Sequence, residues 1–139
     1  MKTDYDNQNS LPAELYDEDY FLSACEGFDE FKLTRGSQLS PRLKKSLECA
    51  NIEPGMKVLD IGCGRGEIVS ACSKLGAYTY GIDYAPAAVH IRRISKENNN
   101  QVSLADAKSL PFPKHYFDRV LMLDVVEHLF PWETFFHTL

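Results

Sequence analysis

Met56-Lys57-Val58-Leu59-Asp60-Ile61-Gly62-Cys63-Gly64-Arg65-Gly66-Glu67 is the stretch that decides the fold. Residues 56–61 form a short apolar run between Gly55 and Gly62, the pattern of a strand buried in a parallel sheet. The glycines that follow predict a tight loop. Gly62 allows the chain to turn at the strand's end, Gly64 lets a backbone approach a ligand with no Cβ between, and Gly66 allows a helix to pack close on the strand. Glu67 to Leu75 then read as that helix, stopped by Gly76.

Working outward, the same alternation recurs. Tyr78 to Ile82 read as a second strand ending at Asp83, and Pro86 opens a helix through Val89, Ile91 and Ile94 toward Asn98–Asn100. Val102 to Ala105 read as a third strand. The Pro111-Phe112-Pro113 loop follows, then a fourth strand over Asp118 to Leu123 and a new helix near Pro131 or Trp132. Upstream, Ser40 and Pro41 suit an N-cap and first helical position, with Leu43, Leu47 and Ala50 at helical spacing and Asn51 at the end. Strands alternating with helices predict right-handed crossovers and an α/β parallel sheet. Two segments result: residues 1–36, a polar tail followed by a short helical cap broken at Gly27, and residues 37–139, the α/β domain. Residues 1–12 lack apolar periodicity and are expected to be disordered or to adhere to a partner. In the cap, Tyr20, Phe21 and Ala24 are placed to share one helical stripe.

Composition narrows the function. The 139 residues carry 20 Asp plus Glu against 15 Lys plus Arg, with no clustered basic face of the kind nucleic acid selects. No apolar run approaches the roughly 20 residues that span a bilayer. Met1 to Asn9 are too polar for a signal peptide. Cys25, Cys49, Cys63 and Cys72 show no C-x-x-C spacing, so reduced thiols in a cytoplasmic protein are expected.

Asp83 lies about 20 residues beyond Gly62, where a carboxylate accepts ribose hydroxyl protons. Loop and carboxylate together indicate an adenosine-containing ligand, and fit a dinucleotide as well as an adenosyl sulfonium. Asp60 bears on the choice. A carboxylate before the loop repels a pyrophosphate and favours an ammonium or sulfonium, and the loop is G-x-G-x-G where dinucleotide sites carry G-x-G-x-x-G.

Val58 to Glu67 resemble motif I of class I S-adenosylmethionine-dependent methyltransferases. Gly81-Ile82-Asp83 resembles the second motif, and Ala105-Asp106-Ala107 with Leu110-Pro111-Phe112 and Phe117-Asp118 the third region. Leu123-Asp124-Val125-Val126-Glu127-His128-Leu129 resembles the segment after strand four in the small-molecule "type 11" branch. The resemblance spans residues 56–129. It implies a Rossmann-like sheet of order 3-2-1-4 and S-adenosyl-L-methionine as cofactor. Asp60, Gly62, Cys63 and Gly64 would line its methionine end. Asp83 would hold the ribose beside Tyr84, Asp106 and Ala107 would meet the adenine, and Asp124 and Val125 would border the transfer pocket.

His128 is the best candidate base, since imidazole titrates near neutrality, with Asp124 beside it as the second candidate catalytic group. His90, His115 and His137 have no such context. Asp124, Glu127 and His128 are similar to the E-x-x-E-H segment of ubiquinone-pathway O-methyltransferases, which bears on metal there; no metal is assigned. Tyr16, Tyr20 and Trp132 are candidates for the pocket wall or for cation–π contact, though core packing is the simpler role for them. Arg35 is a candidate for the cofactor carboxylate. Arg65 is expected to be solvated, and Leu110, Phe112 and Phe117 to pack in the core.

The family fold has seven strands and this chain supplies four. A truncation, or self-association over the apolar fourth-strand edge, is therefore expected, with weak cofactor binding and little turnover. A small-molecule, glycan or lipid-precursor acceptor is the leading reading. A non-catalytic nucleoside-binding or assembly module is the alternative, and a nicotinamide-dependent oxidoreductase a third, opposed by Asp60 and Glu127-His128.

Overall fold

The computed structural model describes residues 12–94, 101–129, 131–137 and 139. The expectations for residues 1–11 and for the chain beyond Ile94 toward Asn100 lie outside them. Four parallel strands, β1 (Lys57–Ile61), β2 (Tyr78–Asp83), β3 (Gln101–Leu104) and β4 (Arg119–Met122), form one sheet of order β3-β2-β1-β4, as the resemblance implies. The helices are α1 (Phe28–Thr34), α2 (Pro41–Ala50), α3 (Glu67–Lys74), α4 (Pro86–Ile94) and α5 (Trp132–Phe136).

β1 sits at the centre, which is why it is apolar on both sides. Leu59 and Ile61 join Ile82, Leu129 and Phe135 in one core, with Phe112 and Phe117 packed against it as expected. Val58, pointing the other way, joins Ile68, Cys72, Ala77 and Leu121 in the second core. Asp60 shares the face of Val58 and is 4 % exposed, so a carboxylate is buried where the strand pattern calls for an apolar side chain. At the opposite end of the sheet, Asp118 Oδ2 accepts from Lys57 N at 2.8 Å, and Arg119 Nε donates to Ala50 O at 3.0 Å. The first bond fixes the start of β4 beside β1, and the second ties β4 to the end of α2.

Ser40 caps α2 as expected, accepting from Leu43 N, and Asn51 ends that helix in the left-handed conformation. The segment before α2 holds a 3-10 turn (Ala13–Leu15), a π-helical turn (Tyr20–Ala24), Gly27 at φ 76° and then α1. The predicted stripe holds only in part: Phe21 is buried, Tyr20 is half-buried and Ala24 faces solvent. This segment, Ala13 to Arg35, is called the strap below, because it crosses the carboxyl ends of the strands.

Candidate active site

A cavity of about 220 Å³ opens at the carboxyl ends of β1, β2 and β4. That is where ligands of open α/β sheets bind, because adjacent crossovers leave there in opposite directions. Asp60, Gly62, Cys63 and Gly64 line it from the β1–α3 loop, Asp83 and Tyr84 from β2, and Asp106 and Ala107 from the segment after β3. Asp124, Val125 and His128 close the side beyond β4. Residues as far apart in sequence as Asp60 and His128 thus line one cavity.

The loop geometry explains its glycines. Gly62 has φ 71°, and a Cβ on it would collide with Cγ2 of Val125. The backbone at Gly62 is therefore a seat for the segment after β4. Asp83 ties the loop from the other side: Oδ2 accepts from Gly64 N at 2.9 Å and Oδ1 from Ala85 N at 2.9 Å. The Tyr84 backbone N–H also bonds this carboxylate, which lines the cavity.

Electrostatics make this end of the sheet receptive to cations. Burial, and then the charges of Asp83 and Glu67, push the Asp60 carboxyl up to about 8. Burial also raises Asp83, outweighing the opposing bonds from backbone N–H groups. A positive charge in the cavity would relieve both carboxylates. An additional anion would worsen the repulsion.

The strap supplies the aromatic wall. Tyr16 lies 5.0 Å from Tyr20 and 5.6 Å from Tyr84 between ring centroids, and all three line the cavity. Burial and the hydrogen bond with Tyr16 raise the Tyr84 phenol above its ordinary value. Trp132 and Arg35 do not line the cavity. The Trp132 ring donates from Nε1 to Val126 O, and Arg35 ends α1 as an exposed left-handed residue. Besides Arg65, the arginine lining the cavity is Arg42, in the first turn of α2: Nε reaches Glu26 at 2.9 Å and Nη2 reaches Asp124 at 2.8 Å. No motif marked it, and only the placement of the α2 N-terminus against the loop beyond β4 brings it there. Asp124 itself adopts φ 59°, a conformation that an aspartate accepts more readily than most residues.

The expectation of a solvated Arg65 is corrected. Arg65 is 4 % exposed. Flanked by two left-handed glycines, its side chain turns inward, under the strap, where Glu67 neutralises it at 2.8 Å. His128 lies on a 3-10 turn (Val126–His128), exposed at the cavity rim. His90 is at the surface, 3.6 Å from Glu18. Among the described residues, no three His, Cys, Asp or Glu side chains are grouped to hold a metal ion. No helix among them is long and apolar enough to cross a membrane.

Residues 59–139 match a family model described as a methyltransferase domain. The chain is 30 % identical over 95 residues to a ubiquinone biosynthesis O-methyltransferase of Dinoroseobacter shibae, a match covering 66 % of this chain and 38 % of that protein. It is 33 % identical over 92 residues to a probable tRNA methyltransferase 9B of Mus musculus, covering 66 % and 19 %. It spans less than half the length of either relative. In fold it is similar to a magnesium protoporphyrin IX methyltransferase from Synechocystis with bound SAH, with a TM-score of 0.55, 24 % identity and coverage of 85 % and 61 %.

Proposed function

Because the chain belongs to the family of methyltransferase domains, we propose that its cavity binds S-adenosylmethionine and that the protein transfers a methyl group to a small-molecule acceptor. The observation that carries this reading is the buried pair Asp60 and Asp83, on either side of a glycine turn and open to one cavity. Two crowded carboxylates fit a ligand bearing ammonium, sulfonium and ribose hydroxyls, and suit a pyrophosphate poorly.

When bound, the cofactor supplies an electrophilic methyl on sulfur; the chain's own residues position and enclose it. Asp60 would face the ammonium and Arg42 the carboxylate of its amino-acid end. Asp83 would hold the ribose hydroxyls, and Asp106 and Ala107 the adenine edge. Tyr16, Tyr20 and Tyr84, which line the cavity, would help exclude water and supply aromatic rings near a positive charge. Holding an acceptor in line with a donor supplies a large part of such a reaction's rate. His128, at the rim, would take a proton from an acceptor hydroxyl or amine at a ring nitrogen, with Asp124 as the second candidate group.

The ubiquinone-pathway relative supports an acceptor of the hydroxylated, lipid-precursor class. Glycans and other small hydroxylated molecules share that chemistry. The apolar β4, which among the described residues pairs with β1 alone, supports self-association through that edge. Calorimetric titration with S-adenosylhomocysteine and, separately, with NAD tests the cofactor reading. We expect saturable binding of the first and none of the second. Preference for NAD, or failure of both to bind, would end this reading.

A further inference from the structure

The glycine loop carries one side chain that the proposed chemistry does not use. Arg65, which also borders the cavity, projects from the glycine loop into the strap. Nη1 donates to Phe21 O at 2.9 Å, Nη2 to Glu26 O at 2.7 Å, and Nε to Glu67 Oε1 at 3.0 Å. The guanidinium also lies 4.9 Å from the centroid of the Phe31 ring. One buried cation therefore grips the strap at its π-helical turn, just before the Gly27 break, and on α1.

Apart from Arg65, the strap is held by a small apolar cluster around Phe21, by Tyr16 against Tyr84, and by Glu18 near the surface His90. Phe21 is its single buried apolar residue, packed over Gly64 and against Ala85 and Ala88. Leu33 is 85 % exposed and Leu15 59 %, so the strap spends much of its apolar surface on solvent. Yet it supplies Tyr16, Tyr20, Phe21, Cys25 and Glu26 to the cavity wall. Glu26 is held at both ends, its carbonyl by Arg65 and its carboxylate by Arg42, which also reaches Asp124 beyond β4. The strap is a roof fixed largely by polar bonds from two arginines, Arg65 in the ligand-binding loop and Arg42 at the start of α2.

We infer that Arg65 is a positioning residue: its guanidinium clasps the strap over the cavity, so that a nucleoside ligand enters and leaves by release of that clasp. The ligand half of this inference rests on the cofactor reading above; the clasp itself does not. The planar fork matters, since three differently directed acceptors are satisfied by one rigid group. A lysine ammonium cannot reach all three.

Hydrogen exchange resolved by residue tests the clasp in the full chain without ligand. The reporters are the amides of Cys25 and Phe31, which donate to Tyr20 O and Gly27 O at 2.9 Å each. Arg65→Met combined with Glu67→Gln removes the cation without stranding a buried carboxylate. Loss of several charge-assisted bonds predicts exchange at both reporters faster by about tenfold or more, with β1 and β2 amides unchanged. Arg65→Lys should recover part of the protection. Stopped-flow dissociation of S-adenosylhomocysteine should quicken by a similar factor. If the double variant does not fold, Phe31→Leu carries the test, because it leaves arginine and glutamate in place; exchange at Cys25 about two- to fivefold faster is expected from loss of a buried cation–π contact. Reporter exchange within about twofold of the parent chain in whichever variants fold overturns the clasp. Failure of the parent chain to bind S-adenosylhomocysteine, with strap exchange accelerated, overturns the cofactor reading and leaves the clasp standing.

Discussion

Gly62→Ala is the perturbation whose cost follows most directly from the geometry. Gly62 sits at φ 71°, and an added Cβ would overlap Cγ2 of Val125. The left-handed conformation costs an alanine about 1–2 kcal/mol. Overpacking against a half-buried valine adds about 1–3 kcal/mol. Together they predict a loss of about 2–5 kcal/mol, a large share of the stability of an ordinary domain. Val125→Ala removes the obstructing methyl but not the backbone cost. The double variant should thus recover the steric part alone. Urea unfolding of the parent, both single variants and the double variant, compared at a common slope, gives the coupling energy. A coupling of about 1 kcal/mol or more is expected for residues in direct contact. Additivity to within about 0.3 kcal/mol would refute the argument that the turn after β1 is the seat for the segment after β4.

Three further outcomes are expected. Asp60 titrates near 8 in the folded chain and near 4 unfolded. Between those values the folded state holds a proton that the unfolded state has released, so stability falls as pH rises through that window. Asp60→Asn should flatten this decline, whose limiting slope is about 1.4 kcal/mol per pH unit; an unchanged urea-midpoint profile would show that Asp60 is not its source. Asp83→Asn keeps only one carboxylate-type oxygen for Gly64 N and Ala85 N, and should cost about 1–3 kcal/mol by thermal unfolding while weakening S-adenosylhomocysteine at least about tenfold. Arg42→Met removes a cation that is 38 % exposed, so stability should move by less than about 1 kcal/mol. Binding of S-adenosylhomocysteine should nevertheless fall by about tenfold or more, as for loss of a charge-assisted bond; equal binding by calorimetry would remove Arg42 from the site.

The sheet was legible because each strand announces itself locally. Val58-Leu59-Asp60-Ile61 is apolar on both faces and is followed by a glycine turn, and that pairing of signals has few other interpretations. Asp83 and Asp106 were legible for the same reason, since each ends or follows a strand on the side where ligands bind. Arg42 and Arg65 were not. A charged residue on a helix or between glycines carries no mark of burial in its neighbours, and what buries Arg65 is the carbonyls of Phe21 and Glu26, some 40 residues earlier. Trp132 and Arg35 went the other way: residue types suited to a pocket wall or an anion lie at positions the topology keeps away from it. Arg35 ends α1 away from the cavity, whereas α2 directs Arg42 toward Asp124 at the cavity wall.

The strap also precedes its anchor in the order of synthesis. A chain emerging from its amino end presents Tyr16, Tyr20, Phe21 and Phe31 to solvent while Arg65 has yet to be made. These rings have no floor to rest on until β1 and the turn after it have formed, and α3 must pack before Glu67 can neutralise the guanidinium. The roof cannot be clasped before Arg65 has been made and its loop has formed. For that interval the nascent molecule carries an aromatic, acidic arm free to contact whatever binds it.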